Sequence, residues 1–252
     1  MPPSLPEVRL LENPAAALPV LLDEVRALLA KQPRPLLGFA TGGTFTAFLQ
    51  ALQLELANGR LAGADTLLAT HLDEYIGFPP DGVGGMVHEL GTACPHLLHM
   101  LARGTFFPVP HDDDAASIRA HEQRLQRAGG VQLQFLGIGR NGHLAFNEPG
   151  TAFDSGFHAT TLAATTREDA RARFRPAEPP TRAVTSGIAT ILLAKRLVLC
   201  AFGKAKAAAV AAMLQGPIDV ACPASVVRTH GNVLVLLDRE AASLLKVGFA
   251  GA

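Results

Sequence analysis

Leu36-Leu37-Gly38-Phe39-Ala40-Thr41-Gly42-Gly43-Thr44-Phe45-Thr46 runs from a short apolar stretch through a glycine pair into residues with helical spacing. Residues 36–40 carry no charge and follow Pro33 and Pro35, the mark of a buried strand, and Thr41 to Thr44 interrupt them. Residues 46–56 then place Phe48, Leu49, Leu52 and Leu56 at three- and four-residue steps, as on one face of a helix. Outward from this strand-turn-helix unit the alternation repeats. Residues 15–30 present Leu18, Leu21, Leu22, Val25, Leu28 and Leu29 as a helical stripe. Residues 66–72, 131–138, 196–202 and 232–237 read as strands, and residues 115–127, 204–214 and 239–245 as helices. Several strands are apolar at nearly every position, which fits a sheet covered on both faces. The expected fold is α/β: an open, mostly parallel, doubly wound, Rossmann-like sheet with helices on both faces. A single domain is expected over residues 1–252, since no repeat or shift in composition marks a boundary. Residues 77–85 and 148–180 read as long loops, the second a candidate lid.

The chain has 252 residues, 48% hydrophobic and 17% charged, which suits a large core and excludes disorder. Lys plus Arg and Asp plus Glu are both 22, so no global field favours nucleic acid or an anionic membrane, and an anion must be caught locally. Cys94, Cys200 and Cys222 are odd in number and widely spaced, which suggests neither a disulfide framework nor a structural zinc site. A reducing compartment is the simpler reading. Residues 1–10 hold three prolines with Glu7 and Arg9 rather than a basic stretch leading into an apolar one. No apolar run reaches about 18 residues, so the protein is expected to be cytoplasmic, without a membrane partner.

In an open α/β sheet, ligands sit beyond the carboxyl ends of the strands, so the segments after Ala40, Leu72 and Ile138 should converge on one crevice. Thr41-Gly42-Gly43-Thr44 follows a strand and opens a helix. Its backbone N–H groups suit a phosphate, although an ordinary tight turn would look the same. Asp73-Glu74-Tyr75 places paired carboxylates at a strand end, where one can act as a base and the other cap a turn. Residues 136–150 contain a literal G-x-G-x-x-G at Gly137, Gly139 and Gly142. A dinucleotide fingerprint needs a helix to open at the third glycine, whereas Pro149 and Gly150 arrive within eight residues. The glycines instead present His143 and Glu148, an imidazole beside a carboxylate suited to general acid/base work. Lys206, beside Lys204, and the series Arg167, Arg171, Arg173 and Arg175 are candidate anion ligands. His111-Asp112-Asp113-Asp114 has metal-ligand residue types but precedes a helix, where Asp commonly caps, so no metal is expected. Ser225 and His230 lack a G-x-S-x-G setting, which argues against a serine hydrolase.

Taken together these segments resemble the glucosamine-6-phosphate deaminases, within the wider group that includes 6-phosphogluconolactonases. The resemblance runs in order from residue 36 to residue 245 through residues 38–44, Leu72-Asp73-Glu74-Tyr75-Ile76-Gly77, residues 137–150, residues 184–192, residues 203–207, and Pro223-Ala224-Ser225 with His230. Gly142-His143-Leu144-Ala145-Phe146-Asn147-Glu148-Pro149 resembles the deaminase form rather than the lactonase form. The resemblance implies hydrolytic deamination of glucosamine 6-phosphate to fructose 6-phosphate and ammonia, with no cofactor. In that reading His143, with Glu148 and Asn141 nearby, assists opening of the sugar ring, and Asp73 moves a proton from C2 to C1. Thr41, Gly42, Gly43, Thr44, Lys206 and Arg173 then hold the phosphate.

The resemblance departs at three places. Asn141 stands where many members carry Asp, as it does in some smaller, unregulated deaminases. Gly82-Val83-Gly84-Gly85-Met86 replaces the usual His-Pro-x-Ser-Tyr at the pocket rim. Gly156 follows Ser155 where an Arg is usual, which argues against the family's allosteric activation and its typical hexamer, leaving a monomer or homo-oligomer. A related enzyme acting on galactosamine 6-phosphate or 6-phosphogluconolactone and a non-catalytic sugar-phosphate sensor remain the alternatives. The joint presence of Asp73, His143 and Glu148 disfavours the sensor.

Overall fold

The computed structural model describes residues 6–174 and 177–246; Arg175 and residues 1–5 lie outside them. Strand β1 (Glu7–Leu11) leads into helix α1 (Ala17–Lys31), whose buried Ala17, Leu21, Val25 and Leu29 recur every four residues. Next come β2 (Leu36–Phe39), α2 (Gly43–Ala57), β3 (Leu68–His71) and, after Leu72 alone, β4 (Asp73–Tyr75). Helices α3 (Met86–Ala93) and α4 (His96–Ala102) precede the short β5 (Phe106–Phe107), then α5 (Ala115–Arg127) and β6 (Leu133–Leu136). The chain continues through β7 (His158–Thr161), α6 (Ala164–Phe174), β8 (Arg182–Thr185), α7 (Ile188–Leu192) and β9 (Arg196–Ala201). It closes with α8 (Ala207–Gln215) and β10 (Val233–Asp238).

Seven strands form one parallel sheet in the order β1-β10-β9-β6-β2-β3-β5. The order reverses between β2 and β6, because the chain runs outward from β2 in one direction and from β6 in the other. That reversal opens a crevice at the carboxyl ends of β2 and β6. Alternate residues of β2 and β3 serve different faces: Leu37, Phe39 and Ala69 join the cluster built with α1 and α2, and Leu36 and Leu68 join the one built with α5. The expected open, mostly parallel sheet with helices is thus present. Three further strands, β4-β8-β7, form a small antiparallel sheet.

An aromatic knot fixes the crevice floor. Phe135 of β6 lies 4.8 Å from Phe48 and 6.0 Å from Phe45 by ring centroid, and 6.5 Å from Phe39 of β2. All four rings are buried, so α2 is clamped against the two strands that flank the switch point.

The structure differs from the sequence reading in two segments. Residues 148–180 are not one loop: β7 and α6 lie within them. Helix α6 buries Thr166, Ala170 and Phe174 at four-residue steps, a helical stripe made of mostly small or polar residues that lack the usual aliphatic signal. Residues 239–245 form turns rather than a helix. The Asp238 carboxylate takes the N–H groups of Ala241 and Gly203, and Ser243 and Leu245 bond back only three residues, so the α pattern does not propagate. Among the described residues no helix is long and apolar enough to cross a membrane.

Truncating the centre of the aromatic knot in Phe135→Ala should cost roughly 3–5 kcal/mol, read as a lower midpoint in urea unfolding. A loss below about 1 kcal/mol would show that the knot does not hold the crevice floor.

Candidate active site

The crevice at the switch point is a cavity of about 920 Å³ whose walls include Thr41 to Thr44, Leu72, Asp73, Tyr75, Gly137 to Arg140, His143, Arg173 and Lys206. The three strand ends named from sequence therefore do converge. Gly42 turns the chain after β2 at φ +88°, a left-handed conformation disfavoured for side chains, and caps α2. A Cβ on Gly42 or Gly43 would meet nothing within 4 Å, so the start of a 15-residue helix lies open on the cavity wall. Thr41 Oγ1 lies 3.0 Å from Met86 Sδ, joining this turn to the start of α3. Lys206 reaches the cavity from the turn after β9; burial lowers its pKa, and Asp169 nearby opposes that. Lys204, by contrast, is exposed.

The paired carboxylates after Leu72 divide their labour. Glu74 is buried and accepts N–H bonds from Tyr75 (2.8 Å), Met86 (2.9 Å) and Val87 (3.0 Å), so it caps α3 rather than facing solvent. Asp73 faces the cavity. Burial first, and then the adjacent Glu74 carboxylate, push its carboxyl up to about 8; Arg173 opposes them and Glu89 adds to them. Asp73 is held from behind by pairing with Thr185 of β8.

His143 rises from a loop folded by backbone bonds, with Gly139 N–H donating to the His143 carbonyl at 3.0 Å and Gly142 N–H to the Gly139 carbonyl at 3.0 Å. A Cβ on Gly139 would stand 2.2–2.4 Å from three imidazole atoms, so the ring lies against a backbone that only glycine leaves bare. Imidazole Nδ1 is 3.5 Å from Glu148 Oε2 and 3.5 Å from Thr166 Oγ1. Asn141 donates to Glu148 at 2.8 Å and accepts from the His143 N–H at 3.3 Å, and the Thr166 hydroxyl donates to the other Glu148 oxygen. Burial alone would raise the Glu148 pKa, but hydrogen bonds from His143, Thr166 and Asn141 outweigh it and hold the carboxyl down to about 2. Glu148 is therefore a fixed anion beside the imidazole, and Nδ1 is engaged.

Two buried polar groups lock this loop to Asp73. Thr185 Oγ1 accepts the Phe146 N–H at 3.0 Å, and the Asn147 amide donates to the carbonyls of Ser186 (2.7 Å) and Leu144 (2.9 Å). Ser186 N–H in turn donates to the Leu72 carbonyl at 2.7 Å. Arg173, on α6, lines the same cavity and bonds Glu89 at 2.5 Å and the Tyr75 hydroxyl at 3.0 Å. Of its neighbours in sequence, Arg171 pairs with Glu168 and Glu178, away from the cavity.

The family of glucosamine-6-phosphate isomerases and 6-phosphogluconolactonase matches residues 17–235. The chain belongs to this family. Among its members, the glucosamine-6-phosphate deaminase of Geobacillus sp. (strain WCH70) is 37% identical over 227 residues, covering 88% of this chain and 89% of the relative. That of Hahella chejuensis is 36% identical over 237 residues, covering 94% and 90%. A solved monomeric glucosamine-6-phosphate deaminase superimposes with a TM-score of 0.85 at 34% identity, over 94% of this chain and 99% of that one. A 6-phosphogluconolactonase from Trypanosoma cruzi, at 19% identity and a TM-score of 0.78, shares the fold.

The cavity and its supports contain residues that the sequence reading did not single out. Thr166, Thr185 and Asn147 act through polar bonds to distant segments, and Glu89 lies on a helix unseen in the apolar pattern. Other candidates have structural settings. Asp114 caps α5 by accepting the Ser117 N–H at 3.0 Å, Asp113 pairs with Arg182, and the buried Ser225 hydroxyl bonds only the backbone of Asp219. Among the described residues no group of three or more His, Cys, Asp or Glu is placed to hold a metal ion.

The two shifted carboxyls should have opposite effects on stability. Glu148, held below its ordinary value, stabilises the fold above about pH 5 and loses that contribution as pH falls toward 2. Wild type should therefore exceed Glu148→Gln by roughly 2–3 kcal/mol at neutral pH, with the gap closing on acidification. Asp73, held above its ordinary value, costs stability increasingly as pH rises from about 4 to 8. Asp73→Asn should be more stable than wild type by a margin that grows across that window. Urea unfolding at several pH values reads both, and pH-independent differences would contradict the two assignments.

Proposed function

We propose that this protein is a glucosamine-6-phosphate deaminase that converts glucosamine 6-phosphate and water to fructose 6-phosphate and ammonia. The observation that carries this reading is the meeting, in one cavity, of a buried carboxyl near neutral pKa, an imidazole-carboxylate pair and an anion-binding turn. The N–H groups of Thr41 to Thr44, with Lys206 and Arg173, hold the phosphate. His143 takes the proton of the C1 hydroxyl and hands one to the ring oxygen, so the C1–O bond breaks as the C1 carbonyl forms; Glu148 offsets the imidazolium charge, and Asn141 holds Glu148 and the His143 backbone in place. Asp73 removes the proton from C2 and delivers it to C1, so the aldose becomes a ketose through an enolamine. Water then adds at C2 and ammonia leaves, which makes the net reaction hydrolytic as well as isomerising. A base with a pKa near 8 is strong enough for a carbon acid and still partly ionised at neutral pH.

The same reading places the enzyme in the cytoplasm, with a small sugar phosphate as its partner and neither nucleic acid nor membrane. The family resemblance suggests activity without a metal or organic cofactor. Gly156, at the position that departs from the allosteric pattern, offers no side chain where an Arg is usual, which supports an unregulated enzyme, as monomer or homo-oligomer.

The test is release of ammonia and ketose phosphate from glucosamine 6-phosphate, with galactosamine 6-phosphate and 6-phosphogluconolactone in parallel. His143→Ala and Asp73→Asn should each lower kcat by at least about a hundredfold while phosphate affinity stays within about tenfold. The acid limb of kcat/KM should fall near pH 8, because only ionised Asp73 can act as the base. Turnover of the lactone alone, or of none of the three, would overturn the assignment.

A further inference from the structure

Glu89 places a carboxylate on the cavity wall within reach of a cation that a phosphate would need. It lies one turn after Met86 on α3, so both face the cavity, and the contact of Met86 with Thr41 sets that helix face against the phosphate turn. From the opposite wall Arg173 reaches Glu89 at 2.5 Å and spends a second N–H on the Tyr75 hydroxyl at 3.0 Å. The two side chains are 31% and 23% exposed, so the pair is substantially withdrawn from water. The cavity's other arginine, Arg140, is paired with Asp169. Among the described residues Lys206 is the lining cation without an ion-pair partner. The unpaired positive field for a phosphate therefore comes from Lys206 and the α2 turn, while the charge of Arg173 is neutralised by Glu89.

We propose that Glu89 is a built-in competitor for the phosphate: it pairs with Arg173 and is displaced when a doubly charged phosphate arrives. This deepens the deaminase reading and rests on it for the identity of the substrate. A phosphate and a carboxylate on one guanidinium repel each other in a half-buried setting, so part of the binding energy goes into separating the pair. Arg173 is thereby reserved for ligands that outbid a carboxylate, which selects a phosphate dianion over a singly charged or neutral sugar. Glu89 acts through Arg173 and is a positioning residue. It also faces Asp73, together with Glu74 from the same strand as Asp73 and Arg173 from α6, and it adds to the upward push on the Asp73 carboxyl.

Inorganic phosphate, titrated by calorimetry into the purified full chain, is the direct probe. Glu89→Gln should bind phosphate roughly fivefold more tightly than wild type, the order of one half-exposed ion pair, and Glu89→Asp should stay close to wild type. In an Arg173→Met background the Glu89→Gln change should alter phosphate affinity by less than about twofold. With glucosamine 6-phosphate, Glu89→Gln should lower KM more than it changes kcat and should move the acid limb of kcat/KM to lower pH. Unchanged or weaker phosphate binding in Glu89→Gln would overturn the proposal, as would an equal gain in the Arg173→Met background. Absence of turnover in wild type, with the phosphate pattern intact, would instead count against the deaminase reading and leave the competitor in place.

Discussion

The site depends on one junction, the end of β8 at Thr185 and Ser186. The parallel sheet can present the Thr41 to Thr44 turn and the Lys206 turn without help, since both follow its own strands. Asp73 and His143 are different, because one follows β3 into the small sheet and the other sits on a loop beyond β6. Thr185 pairs with Asp73 and takes the Phe146 N–H, and Ser186 takes the Asn147 amide while donating to Leu72. All four partners are backbone or buried amide, so little freedom remains between Asp73 and the His143 loop. Two groups drawn from different sheets need such a tie, and here the Thr185 hydroxyl, the Ser186 backbone and the Asn147 amide provide it.

Electrostatics then assigns roles to chemically similar groups. Asp73 and Glu148 are both carboxyls in one cavity, yet burial without donors drives the first up to about 8 and a ring of donors drives the second down to about 2. One is ready to exchange protons and the other is a permanent charge. Glu74, buried beside Asp73, answers to neither description because its oxygens are consumed in capping α3. The cations divide in the same manner, with Lys206 open and Arg140 and Arg173 paired.

The parallel sheet was legible in the sequence because residues 36–39 and 197–201 are apolar throughout, residues 133–136 are apolar but for Gln134, and glycine turns punctuate them. The small sheet was not. Strand β4 is three residues long and charged, and β7 reads His-Ala-Thr-Thr, so neither carries a hydrophobic period. Helix α6 hides behind a stripe of Thr166, Ala170 and Phe174. The site showed a parallel split: Asp73, His143, Glu148 and the Thr41 to Thr44 turn stand at strand ends, where position alone nominates them. Glu89 and Thr166 matter through partners 84 and 18 residues away in sequence, and spacing along the chain carries no trace of those encounters.

The edge strand β1 pairs along its whole length with β10, Glu7 with Leu234 through to Leu11 with Asp238. The earliest described strand therefore has no partner until the last one has been made, although its neighbour in sequence, α1, can already pack on β2 and α2. During synthesis the nascent chain must carry an unpaired strand while the rest of the sheet assembles. Pairing β1 with β10 also closes the longest loop between paired strands of the sheet, the closure with the largest entropic cost.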